Sequence, residues 1–240
     1  MTSTPWIVLS VVILALLAYW EMWICEGTHL GQRFVVWLYD LAATRYEDIK
    51  QFNTLWERQF LAEPVKQVLG KLPDGLVLDV GAGTGRLARG LLQLPEVHAT
   101  VVCLEPSARM ALLGVGRTPN DSAPWLRSWA VPLPFAEETF DLVSSLEILE
   151  FTPRPMQTLE ELVRVLRPGG WLLVTNRVGW EAPLILGKTY RRQRFPEILK
   201  GLDLVDVEDF RWQKTYDLIW ARKPHPEETG LPHSDRQSAV

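Results

Sequence analysis

The run Val77-Leu78-Asp79-Val80-Gly81-Ala82-Gly83-Thr84-Gly85 constrains this chain more than any other segment. The short apolar stretch that opens it, from Leu76 to Val80, shows no alternation of polar and apolar positions. Such a stretch predicts a strand buried on both faces, as in a parallel sheet. Glycines at alternate positions then permit a sharp turn and let a ligand approach the backbone closely. Gly85 to Leu94 reads as a helix whose first N–H groups are free to meet that ligand.

The same alternation continues downstream. Strands are expected at Ala99–Leu104, Phe140–Ser145 and Trp171–Thr175, and helices from Ser107 to Leu113 and from Met156 to Leu166. Repeated strand–helix units predict an α/β domain with a parallel sheet covered on both faces. Leu204–Phe210 and Thr215–Arg222 lie close together and read as an antiparallel pair. Upstream, Phe34, Trp37, Leu38 and Leu41, then Leu55, Phe60, Leu61, Val65, Val68 and Leu69, recur at helical spacing. Pro64 fits either the first turn of a helix or a break in one. The chain from Lys223 onward is rich in Pro, Glu, His and Ser and is expected to be disordered.

The N-terminus is of another kind. Pro5 to Trp20 carries no charge, and Trp6, Tyr19, Trp20 and Trp23 flank the apolar run as interfacial aromatics do. The run predicts a single membrane-spanning anchor, with a buried or partner-docking helix as the alternative. No Lys or Arg precedes it, which argues against a cleaved signal peptide. Arg33, the first basic residue, follows it and favours a cytoplasmic location for what comes after. The expected divisions are therefore an anchor (1–25), a helical linker and lid (26–70), a catalytic domain (71–222) and a tail (223–240).

A net charge of −4 argues against nucleic acid as a partner. Two cysteines, Cys25 and Cys103, suggest neither a disulfide framework nor a metal site. Cys25 is either an acylation site or a plain thiol. The sequon at Asn120 is read as chance. None of the four histidines falls in a site motif, so no catalytic histidine and no metal are assigned.

Three ligand readings of the glycine segment compete. A dinucleotide fingerprint needs glycine where Arg86 stands. A phosphate loop fails at Gly187-Lys188-Thr189, because Ala182 occupies the place of its first glycine. Asp79-x-Gly81-x-Gly83-x-Gly85 resembles motif I of class I methyltransferases dependent on S-adenosylmethionine. Glu105, about 20 residues past Gly85 at the end of the second strand, suits the acceptance of two ribose hydroxyls. A merely structural glycine turn would rarely bring both features. Leu133-Pro134-Phe135, Phe140-Asp141-Leu142-Val143 and Glu160 through Gly170 are similar to later segments of the family. Tyr39-Asp40-Leu41-Ala42 with Tyr46 resembles the lid of the branch acting on quinones, lipids and other small molecules.

The resemblance implies a Rossmann-like, doubly wound, mostly parallel seven-stranded sheet and S-adenosylmethionine as cofactor. It assigns Asp79, Gly81, Ala82, Gly83 and Gly85 to the methionine part, Glu105 and Pro106 to the ribose, and Trp129, Ala130 and Leu146 to the adenine or the sulfonium. Tyr46 would close from the lid. Two positions depart from the pattern: Trp129 stands where an acidic residue is frequent, and Phe151 where His is frequent. Trp129 is either an aromatic face for adenine or wall packing. Glu147 is the one candidate for catalysis, touching the acceptor or acting as a base, with an ionised rim residue as the alternative. Glu150 reads as a capping or surface group. Apolar residues from Trp180 to Phe195, beside the basic Lys188, Arg191, Arg192 and Arg194, suggest a hydrophobic or lipid-like acceptor near a membrane. A thiol methyltransferase and a non-catalytic binding or assembly protein are the alternatives.

Overall fold

A computed structural model describes residues 4–50, 52–70, 72, 74–95, 97–118 and 121–229. Asn120, His233 and the rest of the chain after Thr229 lie outside the described residues.

Helix α1 (Thr4–Tyr19) runs into a π-helical turn, Trp20–Ile24. Together they give a 20-residue stretch, Pro5–Ile24, with a mean hydropathy of 2.2 and one charged residue, Glu21. That is long enough to cross hydrocarbon at about 1.5 Å per residue. Only 6% of the stretch is buried in the protein, so it is no core helix.

The helical region that follows is broken where its sequence demands. Helix α2 (Gln32–Ala42) and the short α3 (Tyr46–Lys50), joined by one 3₁₀ turn, make up the segment expected to act as a lid. Asn53 caps α4 (Thr54–Glu57), its side chain accepting from the amides of Leu55 and Trp56. Pro64 opens α5 (Glu63–Leu69) directly after a π-helical turn, Arg58–Ala62, and the backbone stays helical across the junction.

The domain itself alternates as expected. Strands β1 (Gly75–Val80), β2 (Ala99–Leu104), β3 (Trp125–Leu126), β4 (Phe140–Ser145) and β5 (Leu166–Arg177) are parallel. Helices α6 (Arg86–Leu92), α7 (Ala108–Val115) and α8 (Pro155–Val165) connect them, and α9 (Phe195–Lys200) precedes an antiparallel hairpin, β6 (Val205–Arg211) and β7 (Tyr216–Arg222). The seven strands lie in the order β3-β2-β1-β4-β5-β7-β6. Sequence order reverses between β1 and β4, and the crevice beyond their carboxyl ends is where such sheets bind ligands.

Burial explains why the strands read so clearly. Along β1, Val77 packs with Leu87, Leu91, Val101 and Trp220 on one face, while Leu78 and Val80 pack with Phe140, Leu159 and Leu162 on the other. A strand covered twice has no polar positions to alternate with. The two-residue β3 was not anticipated, because so short a pairing leaves no pattern.

The expected disordered tail is ordered at its start. Lys223 exchanges backbone hydrogen bonds with Gly169 and Gly170, and Arg222 pairs with Glu228 in a 3₁₀ turn over Pro226–Thr229. This segment is held because it continues β7 along the first residues of β5.

Candidate active site

The loop after β1 is built on glycine. Gly81, Gly83 and Gly85 have φ of 73°, 58° and 82°, in the left-handed region. A Cβ on Gly81 would stand 2.4 Å from Ile148, so β4's outgoing chain can pass close only because that Cβ is missing. At Gly83 the nearest side-chain atoms, Met110 and Tyr46, are 3.6 and 3.9 Å from a Cβ position, leaving room above the loop.

A cleft of about 790 Å³, open mouth included, lies over this loop at the switch point. Tyr46, Gly81, Gly83, Glu105, Pro106, Trp129, Ala130, Leu146 and Glu147 all line it. Asp79 and Ala82 line the adjoining recess beneath, and Gly85 caps α6 from behind. The residues named from the sequence therefore converge on one place. Sequence reasoning missed the outer wall: Val35, Val36 and Tyr39 of α2, with Ile148, Phe151 and Pro153 opposite. The periodicity in this stretch picked out Phe34, Trp37, Leu38 and Leu41 instead, and Tyr39 and Phe151 entered only through the family resemblance; the wall depends on how α2 folds back over the cleft.

Glu105 is buried at the end of β2. Its Oε2 accepts from the Gly83 amide at 2.9 Å and its Oε1 from the Ser107 amide at 2.8 Å. Burial pushes its carboxyl up to about 7 despite both bonds. Asp79 accepts from the Ser144 hydroxyl at 2.6 Å and is raised to about 6, again by burial. Glu105 thus braces the glycine loop through the Gly83 amide, while Asp79 ties the end of β1 to β4.

The lid is latched shut. Asp40 accepts from the Ser107 hydroxyl at 2.5 Å and from the Arg109 amide at 3.1 Å, at the start of α7. Glu47 accepts from Thr84 at 2.7 Å and pairs with Arg89 and Arg117 at 2.7 and 2.8 Å. Tyr46 lies between Tyr39 and Phe52, with ring centroids 5.9 and 5.8 Å away, and burial holds its phenol up at about 12.

Glu147 does not have the environment of a base. Its carboxylate receives Lys50 at 2.9 Å, Arg86 at 2.8 Å and Gln213 at 2.9 Å. Burial alone would raise it, but the Lys50 and Arg86 charges outweigh that and hold it at about 2. A carboxylate so committed is a weak proton acceptor near neutrality. The alternative reading, an ionised rim residue, agrees with its ionisation and its place in the cleft lining, and the side chain is buried there rather than open to solvent. Arg86 is the centre of this network. Its guanidinium sits between the rings of Phe52 and Trp212, 4.4 and 4.5 Å away, and pairs with Glu57 through both of that residue's oxygens.

Glu150 is also not a surface group. It is buried, accepts from the Tyr216 hydroxyl and lies 3.6 Å from Arg177. Two of the four basic residues after β5 are engaged internally: Arg192 with Asp217, and Lys188 with the carbonyls of Thr152 and Pro153. Arg191 and Arg194 are exposed.

The end of the apolar N-terminal helix is clasped to this domain. The Trp20 indole donates to the Leu184 carbonyl at 3.0 Å, and its ring stacks on His29 at 5.2 Å. His29 pairs with Glu21 at 2.8 Å and reaches the Leu186 carbonyl at 3.1 Å. Glu26 pairs with Arg177 at 3.0 Å. Donor atoms of Glu21, Cys25 and His29 lie within 4.8 Å of one another, a grouping the sequence reading passed over when it assigned no metal.

Residues 78–174 match the profile of a family described as a methyltransferase domain. The ubiquinone/menaquinone biosynthesis C-methyltransferase of Roseobacter denitrificans is 31% identical over 156 residues, covering 62% of this chain and 60% of that protein. The demethylmenaquinone methyltransferase of Mycobacterium sp. (strain KMS) is 30% identical over 171 residues, covering 69% of this chain and 70% of that protein. Among solved structures, the [4+2]-cyclase SpnF superposes with a TM-score of 0.62 at 19% identity, covering 81% of this chain and 97% of that one. A putative S-adenosylmethionine-dependent methyltransferase from Methanococcus maripaludis gives 0.60 at 17% identity, covering 77% and 93%. The two structures bear on the fold alone, whereas the sequence relatives and the family profile bear on descent: the chain belongs to the S-adenosylmethionine-dependent methyltransferases.

Proposed function

We propose that this protein methylates a lipophilic small molecule of the quinone or lipid class, taking the methyl from S-adenosylmethionine at a membrane surface. The observation that carries the reading is the position of Glu105. A buried carboxylate, hydrogen-bonded to the glycine loop, faces a cleft whose other walls are largely apolar. Relatives named for ubiquinone, menaquinone and demethylmenaquinone support the acceptor class.

The residues present fit the cofactor. In this reading Gly81, Ala82 and Gly83 hold the methionine part, with Asp79 tying the end of β1 to β4 and Gly85 starting α6. Glu105 and Pro106 take the ribose, and Trp129, Ala130 and Leu146 flank the adenine and the sulfonium. Bound there, S-adenosylmethionine supplies a methyl group on a good leaving group. Val35, Val36, Tyr39 and Phe151 would exclude water and align the acceptor. With Glu147 ionised and fully paired, the cleft offers orientation and desolvation rather than a free base. That suits an acceptor that is already nucleophilic or ionises readily.

The remaining organisation is proposed in the same way: residues 1–25 as an anchor, 26–70 as linker and lid, and 71–222 as the catalytic domain on the cytoplasmic side. Calorimetry on the detergent-solubilised full chain tests the cofactor. S-adenosylmethionine and S-adenosylhomocysteine are expected to bind with micromolar affinity. Transfer of labelled methyl to demethylmenaquinone, and not to water-soluble thiols, tests the acceptor. Absence of cofactor binding by folded protein overturns the whole reading; binding with transfer only to thiols overturns the acceptor class.

A further inference from the structure

Helix α2 has two apolar faces, and the cleft needs only one of them. Val35, Val36 and Tyr39 line the cleft. On the opposite side, Arg33, Trp37 and Leu41 follow at intervals of four and lie on one stripe, since four residues make just over one helical turn. Trp37 and Leu41 are 52% and 55% exposed. Leu30, just before the helix, is 55% exposed. A helix of eleven residues has no need of an apolar solvent face for folding.

What lies beside this stripe tells what covers it. A seven-residue connection with a 3₁₀ turn, Thr28–Leu30, leads from the apolar N-terminal helix into α2, and a Cβ on Gly27 in it would be 2.7 Å from Phe34, whose ring packs on Trp37 at 5.4 Å. From the other side the Leu184–Leu186 loop reaches the same junction, through the bonds from Trp20 and His29 to its carbonyls. Ile185 is buried, while Leu184 and Leu186 point outside, 38% and 64% exposed. An indole, a guanidinium and aliphatic side chains, set at the end of a helix of spanning length, match the chemistry of the bilayer interface.

We infer that α2 is an interfacial helix: Leu30, Trp37, Leu41 and Leu186 rest in the headgroup region of the bilayer, and Arg33 meets lipid phosphate. The wall of the cleft is then also the surface that touches the membrane. A lipophilic acceptor reaches the cleft past α2 without crossing water. This rests on the anchor reading above, which it deepens by naming the bilayer as the partner of the lid.

The test uses the full chain in nanodiscs of phosphatidylcholine and phosphatidylglycerol that carry a diazirine phospholipid. After photolysis, lipid adducts are mapped to peptides. Adducts are expected on α1, on the peptide spanning 30–41 and on the peptide spanning 184–186, with none around the exposed Leu112 or Phe210, which serve as controls. A double variant, Trp37→Gln with Leu41→Gln, is expected to lose about tenfold in labelling of its own lid peptide. Labelling of α1 and affinity for S-adenosylmethionine should stay unchanged in that variant. Adducts confined to α1 overturn the interfacial helix and leave the anchor standing. Adducts on no segment overturn both. A lid peptide that is unlabelled while light scattering shows paired chains assigns the face to a second copy instead, and also overturns the inference.

Discussion

Arg86 and Glu147 are joined at 2.8 Å, and this bond ties the first turn of α6 to the chain leaving β4, across the mouth of the glycine loop. The pair is buried and each partner has a further opposite charge, Glu57 for Arg86 and Lys50 for Glu147. Glu147→Gln should therefore act on stability before it acts on chemistry. Losing one member of a buried, hydrogen-bonded ion network costs about 3–5 kcal/mol, so the thermal midpoint should fall by many degrees. With its carboxyl at about 2, Glu147 is ionised at every working pH, and the variant's pH–rate profile should keep the wild-type shape. Loss of an acidic limb in the variant would instead restore Glu147 as a base.

Glu105 predicts a pH dependence of the opposite origin. Burial raises its carboxyl to about 7, and only the ionised form accepts from two ribose hydroxyls. Affinity for S-adenosylhomocysteine should thus be full above pH 7 and fall as the pH drops through that value. In the folded protein the raised carboxyl also means that ionising Glu105 opposes folding. Its contribution to stability is therefore greatest at low pH and is lost as the pH rises toward 7. Glu105→Ala should weaken binding by about 100-fold or more, the loss of two charge-assisted hydrogen bonds. Titration calorimetry between pH 5.5 and 8 reads both effects.

At Gly81 any side chain meets Ile148 at 2.4 Å, and the φ of 73° adds strain. Gly81→Ala should cost about 1–3 kcal/mol and weaken cofactor binding. The companion change Ile148→Ala should restore part of the stability, leaving the backbone strain. Denaturant midpoints of the single and double variants decide this.

Asp40 ties α2 to the start of α7 through Ser107 and the Arg109 amide. Asp40→Ala should leave the fold intact and speed release of S-adenosylhomocysteine. A loss of about 1–2 kcal/mol in the latch corresponds to roughly five- to thirtyfold. Stopped-flow measurement of release, with an unchanged thermal midpoint in the absence of ligand, separates a latch from a structural brace.

Much of the architecture was legible because parallel strands covered on both faces leave unbroken apolar runs. Ala99–Leu104 and Phe140–Ser145 were bounded to the residue. The glycine loop and Glu105 were legible for another reason: backbone geometry there tolerates few alternatives. The ion networks were not. Arg86 was noticed only as the residue that spoils a dinucleotide fingerprint, yet it organises Glu57 and Glu147, which lie 29 and 61 positions away. Glu150 read as a surface residue because its partners, Arg177 and Tyr216, come from β5 and β7. Local spacing carries no record of partners brought together by sheet order.

The clasp of Trp20, Glu26 and His29 onto Leu184, Arg177 and Leu186 has a mechanical meaning. It makes the N-terminal helix a fixed axle rather than a leash. Turning or tipping that helix turns the sheet with it, and so re-aims the opening of the cleft. Under the proposed anchor reading, a bilayer that forces the helix to lean would set the angle at which the enzyme faces its surroundings, and membrane thickness would become a variable of the reaction.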